Sequence, residues 1–235
     1  MRLTDSLDIL RYADGKVEEL SDLMVNEFCL LLKVNGNAIK ELLCSPAELE
    51  ELILGFLKTQ GYIKEASDVY SIYFDESQNV MDVKIEEKTF DDSFDECKDS
   101  DYIYFDKDAI IKNLGRFYEE SLLQKATAGV HRCALCDDNG ILFSSDDISR
   151  HCAFDKVIGR AIKEGISLRD KYLITSGRVP LDVIKKVDTC GIPMLVSRTA
   201  PTVSAALFAR EKGITLLGFS KGNRFNIYSE YSRIK

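Results

Sequence analysis

From Tyr172 onward the chain alternates strand-like and helix-like runs, and that alternation restricts its fold more than any other feature. Tyr172–Thr175, Pro193–Val196 and Ile214–Phe219 are short apolar runs of strand length. One helix opening at Pro180 and another opening at Pro201 separate them. Strands joined by helices in this way argue for parallel strands with right-handed crossovers. A last short strand, Phe225–Tyr228, follows Gly222.

Upstream, a strand near Val130–Cys136, the turn Asp137-Asp138-Asn139-Gly140 and a strand Ile141–Phe143 lead into Asp146–Gly159. That stretch starts with acidic and hydroxyl residues suited to a helix N-terminus. Phe154, Val157, Ile158 and Ala161 then recur at helical spacing. Asp147, His151 and Asp155 are four apart, so the pattern predicts them on one helical face. His151 is then expected to bond Asp147 or Asp155 and to orient rather than to attack.

The N-terminal part reads differently. The first 25 or so residues pattern weakly and are expected to wrap or fray. Glu27–Val34 and Asn37–Leu42 flank Asn35-Gly36, a strong hairpin signal. Ser45-Pro46 is expected to open a helix, with Ser45 as cap, an apolar stripe from Leu49 to Leu57, and Gly61 as its stop. Val69–Phe74 and Val80–Ile85 form a second strand pair. Residues 86–101 are acidic, hold the isolated Cys97, and read as a linker. Asp106 or Asp108 caps a helix to about Leu123. The fold class is thus an α+β N-terminal subdomain over residues 1–105, followed by an α/β domain with a mixed sheet over residues 106–235.

Charge divides along the same line. Residues 150–235 carry a net charge of +9 and residues 1–149 a net of −17. The overall acidity argues against sequence-blind nucleic-acid binding. The basic C-terminal part favours a localised anionic ligand. No apolar run has the length of a membrane span, and no secretion signal opens the chain. Seven cysteines without such a signal are expected to be reduced, in the cytoplasm.

Chemistry concentrates in three places. Ser176-Gly177-Arg178 and Ser197-Arg198-Thr199 each follow a strand and precede a helix, where open α/β sheets bind ligands and helix starts bind anions. Gly218–Asn226 sets Lys221 and Arg224 beside glycines that let a backbone approach a ligand. His131, Cys133, Cys136, His151 and Cys152 lie within 22 residues. Cys133 and Cys136 have redox-motif spacing, but on a strand they point to opposite faces, whereas His131 and Cys133 share one. A deaminase-like zinc hydrolase fits poorly, because it needs His-x-Glu and Pro-Cys-x-x-Cys. His131, Cys133, His151 and Cys152 are acceptable zinc-ligand types, so zinc stays a third possibility for this cluster, although no metal site is assigned.

The chain resembles the formate dehydrogenase accessory sulfurtransferases, the FdhD/NarQ family. Thr127-Ala128-Gly129-Val130-His131 is similar to that family's Thr-Gly-Gly-x-His. Asp146–Lys156 is similar to its Glu-Asp-Val-Gly-Arg-His-Asn-Ala-Leu-Asp-Lys. Ser45–Ile63, Ser176-Gly177-Arg178, Ala200-Pro201 and Gly218–Tyr228 match in order. The resemblance implies a cytidine-deaminase-like larger domain and a homodimer. It also implies sulfur taken from a cysteine desulfurase and passed to the molybdenum bis-molybdopterin guanine dinucleotide cofactor of formate dehydrogenase. The cofactor-binding residues carried over are Phe219, Ser220, Lys221, Gly222, Asn223 and Arg224, with Ser176, Gly177 and Arg178; GDP is the implied analogue. Three departures stand out. The family's Cys-Gly-x-Cys-Gly loop is replaced by the acidic segment with Cys97, Ser149 replaces Gly, and Cys152 replaces Asn. The sulfur carrier is then Cys97 or one of Cys133, Cys136 and Cys152, with His131 and His151 at the same site and Cys133 ranked first. The alternative is a member that binds or delivers the cofactor without transferring sulfur.

Overall fold

The computed structural model describes residues 1–86 and 103–235. β1 (Thr4–Ala13) and β2 (Lys16–Val25) pair antiparallel from Thr4↔Val25 to Ala13↔Lys16. They turn at Asp14 and Gly15, both at positive φ. The first 25 residues are therefore a hairpin, not a frayed end. Its turn is an Asp-Gly signal. The strands hide from pattern reading because apolar residues stand on both faces, with Leu7, Leu10, Tyr12 and Val17 exposed.

β3 (Phe28–Val34) and β4 (Asn37–Cys44) form the expected hairpin, with Asn35 and Gly36 at positive φ. α1 (Leu49–Thr59) follows, then β5 (Val69–Asp75) and β6 (Val80–Ile85). The sheet order is β4-β3-β6-β5, with β3 and β6 parallel. Leu30, Leu32, Met81 and Val83 pack against Leu52, Ile53 and Leu57 of α1. Gly61, at φ 78°, stops the helix. Ser45 does not cap it. The helix starts later, and Ser45 is used elsewhere: its N–H donates to Asp147 at 3.0 Å and its hydroxyl accepts from the Ile148 N–H at 3.1 Å. The linker reading and Cys97 fall outside the described residues.

α2 (Lys107–Glu119) is capped by the Asp106 carboxylate, which accepts from the N–H groups of Asp108 and Ala109. The helix stops short of Leu123 because Ser121 caps a new one, α3 (Leu122–Thr127). β7 (His131–Asp137), β8 (Gly140–Asp147), α4 (Arg150–Lys163), β9 (Tyr172–Thr175), α5 (Leu181–Thr189), β10 (Met194–Ser197), α6 (Val203–Glu211), β11 (Thr215–Lys221) and β12 (Arg224–Ile227) complete the chain. The second sheet runs β12-β11-β10-β9-β7-β8. Its β9, β10 and β11 are parallel, and antiparallel neighbours flank them, so the sheet is mixed.

Two cores sandwich that sheet. Leu135, Leu173, Leu195 and Leu216 face Phe154, Val157 and Ile158 of α4 and Ile184 of α5. Ala134, Tyr172, Met194 and Leu217 face Ile110, Leu114 and Phe117 of α2. β8 runs on to Asp147, so the expected N-terminal carboxylates of α4 lie on a strand, and Ser149 caps the helix. α4 also crosses α1, with Gly55 and Gly159 at the crossing. It thereby joins the two sheets.

Candidate functional site

The C-terminal ends of β9, β10 and β11 share one edge, where ligands of open α/β sheets bind. β7 runs against β9, so its first residue, His131, joins that edge. The Ser176 hydroxyl after β9 accepts from the Arg132 N–H at 2.9 Å and lies 3.4 Å from His131 Nδ1. Gly177 is tightly packed: a Cβ there would stand 3.0 Å from Arg150 Cβ, so the arginine would have to give way by a few tenths of an ångström. The glycine lets the first turn of α4 close on the loop. Arg150 Nε is buried there without a hydrogen-bond partner. Arg178 is exposed.

His151 joins this edge through α4 but bonds neither Asp147 nor Asp155. Its Nε2 lies 3.6 Å from Asp182 of α5. Asp147, on its strand, pairs with Lys156 Nζ at 2.6 Å and accepts from the N–H groups of Ser45 and Ser149. Asp155 takes Lys186 at 2.6 Å and the Thr59 hydroxyl at 2.9 Å. Both carboxylates are thus occupied, with Ser45, Thr59 and Lys186 reaching them from other elements, which helical spacing does not reveal. Burial holds the His151 pKa below its ordinary value, aided by Lys186 and opposed by Asp182. Burial and the Arg150 charge do the same for His131. Both imidazoles are therefore biased toward the neutral form.

The β11–β12 loop is built by close backbone approach. A Cβ on Gly218 would fall 2.8 Å from the Thr199 carbonyl oxygen. The Phe219 N–H donates to that carbonyl at 3.1 Å. Phe219 itself is exposed and held at φ 52°, in the left-handed region that costs a non-glycine residue of order 1–3 kcal/mol. Gly222, at φ 59°, makes the turn that pairs Lys221 with Arg224. Arg224 lies over the Phe219 ring at 5.4 Å. Lys221, Gly222, Asn223 and Arg224 face solvent, while Ser220 is buried and donates to the Ser197 carbonyl at 2.9 Å. Ser220 therefore shapes the loop from within.

The candidate thiols Cys133, Cys136 and Cys152 lie in three different core clusters, and Cys152 shares its cluster with Cys44. Cys133 points into the α4 side of the sheet and Cys136 into the α2 side, as strand parity requires. Burial pushes both pKa values up. Cys152 is pushed up to about 12 and lies 3.6 Å from the Leu43 carbonyl oxygen. Cys44 and Cys190 are also buried and raised to about 12. Such groups carry almost no thiolate near neutrality, so none of the five is a ready nucleophile in this conformation. Cys29 is exposed on β3. The sequence reading passed over it, although the inward run of Phe28, Leu30, Leu32 and Val34 already turns it outward. Among the described residues, no group of three His, Cys, Asp or Glu side chains is placed to hold a metal ion. No described helix is long and apolar enough to cross a membrane.

A profile of the FdhD/NarQ family matches residues 25–100 and 89–235. The chain belongs to the FdhD/NarQ family. "Sulfur carrier protein FdhD" of Staphylococcus aureus strain MRSA252 is 34% identical over 251 residues, covering 96% of this chain and 94% of the relative. The protein of the same name from strain JH9 matches at the same identity and coverage. A solved structure, "Crystal structure of a putative formate dehydrogenase accessory protein from Desulfotalea psychrophila", superposes with a TM-score of 0.85 at 26% identity, covering 100% of both chains. The mixed α/β architecture is thus shared with another protein along its whole length. Ala128, three residues before His131, has a φ of 51°.

Proposed function

We propose that this FdhD/NarQ protein serves formate dehydrogenase maturation by carrying sulfur. In this reading it accepts sulfur from a cysteine desulfurase and passes it to the molybdenum bis-molybdopterin guanine dinucleotide cofactor. One observation carries the reading: nearly the whole chain matches a protein named as a sulfur carrier, at 34% identity. The sheet edge supports it, with Arg178 exposed after β9 and with Lys221 and Arg224 exposed on either side of the open turn at Gly222. That surface suits the guanine dinucleotide part of the substrate, with GDP as its analogue. The two-sided mixed sheet agrees with a cytidine-deaminase-like domain. The homodimer and the cytoplasmic setting follow from the resemblance.

The carrier proposed first is Cys97, which occupies the segment where the family places its cysteine loop. Its thiolate would attack the outer sulfur of the desulfurase persulfide. A new S–S bond forms, the donor's S–S bond breaks, and the donor cysteine leaves as thiolate, with no net oxidation. Burial of Cys133, Cys136 and Cys152 favours a second reading, in which the protein binds or delivers the cofactor without moving sulfur. Incubation with a cysteine desulfurase and cysteine, followed by intact-mass and peptide mass spectrometry, separates the two. Sulfur transfer gives one added sulfur atom, lost in Cys97→Ser. Wild-type protein that gains no sulfur leaves the delivery reading.

A further inference from the structure

We infer that Arg198 and Arg224 form a two-cation clamp for the diphosphate of a bound nucleotide, with Tyr118 positioning Arg198. The inference rests on the nucleotide site proposed above. Arg198 leaves the C-terminal end of β10, and its guanidinium lies 5.0 Å over the Tyr118 ring. Arg224 lies 5.4 Å over the Phe219 ring in the same way. The two rings are tied together. The Tyr118 hydroxyl and the Ser220 hydroxyl share a hydrogen bond of 3.3 Å, and Ser220 directly follows Phe219. Ser220 also donates to the carbonyl of Ser197, the residue before Arg198. One buried hydroxyl thus links the loop carrying Arg224 to the strand end carrying Arg198.

The stacking has a chemical consequence. A guanidinium resting on an aromatic ring uses its flat face, and its N–H groups remain free along the edge. Both arginines are exposed, and neither forms an ion pair among the described residues. By contrast, Arg116 and Arg160, on the helices, each hold a glutamate four residues on. Two oriented cations without an ion-pair partner among the described residues, beside the open turn at Gly222, suit two linked phosphates better than one. Tyr118 comes from α2, so its contribution is invisible to any motif in the loops.

The test is calorimetric titration of the full-length protein with GDP, GMP and guanosine. Wild type should bind GDP more tightly than GMP. Arg198→Ala should weaken GDP at least about tenfold, as loss of a charge-assisted hydrogen bond does, and leave guanosine unchanged. Tyr118→Leu should reproduce that loss, and Tyr118→Phe, which keeps the ring, should restore most of the affinity. Unfolding midpoints identify any variant that is misfolded, and Arg198→Lys, which keeps the charge without the planar fork, then serves as the milder substitution. Wild type that binds GDP, with Arg198→Ala and Arg198→Lys binding it equally well, overturns the clamp and leaves the nucleotide site standing. Wild type that binds no guanine nucleotide overturns the nucleotide site and the clamp with it.

Discussion

Gly55 of α1 and Gly159 of α4 face each other where the two helices cross. A Cβ on Gly55 would stand 1.7 Å from the Asp155 carbonyl oxygen, and one on Gly159 would stand 1.7 Å from that of Glu51. The obstacles are backbone atoms, which cannot swing aside as a flexible side chain can. Gly55→Ala and Gly159→Ala should each therefore destabilise the protein by about 3 kcal/mol or more, beyond the usual range for overpacking. Urea unfolding midpoints check this. A loss below about 1 kcal/mol in both would show that the crossing relaxes easily.

Lys156 and Asp147 are fully buried and 2.6 Å apart. Lys156→Met leaves a carboxylate without its counter-charge and should cost about 3–5 kcal/mol. Adding Asp147→Asn to that variant should recover part of the loss. A double variant no more stable than Lys156→Met would place the cost in packing and not in charge.

His131 and His151 make stability fall in mild acid. Burial lowers both pKa values from the ordinary 6.5. The unfolded chain therefore takes up protons first as pH drops. Stability is full above about pH 6.5 and is lost as pH falls through the folded-state values. Denaturant midpoints measured from about pH 7.5 down to about pH 5 should decline, and the His131→Gln/His151→Gln double variant should decline less steeply. Parallel profiles would assign the slope to other groups.

Ala128 caps α3 at φ 51°. Glycine adopts that conformation without a Cβ clash, and the side chain is exposed, so little packing is lost. Ala128→Gly should raise stability by about 0.5–1 kcal/mol. A thermal midpoint that falls instead would mean that the loop before His131 has room for a different backbone.

Iodoacetamide at neutral pH should modify Cys29 in the folded protein. Cys44, Cys133, Cys136, Cys152 and Cys190 should react only after denaturation, since burial blocks access and suppresses the thiolate. Peptide mass spectrometry reads each site separately. Rapid native-state labelling of Cys133 or Cys152 would reopen either as a sulfur carrier.

Much of this fold was legible because its signals are local. Asn35-Gly36 marked a hairpin, and the alternation after Tyr172 marked the parallel strands. Strand parity alone puts Cys133 and Cys136 on opposite faces of β7. What failed were readings whose cause lies far along the chain. The polar end of β8 looked like a helix cap because Ser145 and Asp147 are buried by partners from residues 45–48 and by Lys156. His151 looked paired by spacing to carboxylates that Lys156 and Lys186 had already claimed. Tyr118 carried no motif at all, since its role comes from meeting Arg198 and Ser220 across the sheet.

The bonds from Ser45 to Asp147 and from Thr59 to Asp155 span 102 and 96 residues of chain. A ribosome makes about 5–20 residues each second, so α1 emerges roughly five to twenty seconds before the helix that covers it. Throughout that interval Leu52, Ile53 and Leu57 can pack on their own sheet, but the glycine face around Gly55 has nothing to lie against. The N-terminal sheet and α1 therefore gain their covering helix only after the chain has been made through Lys163.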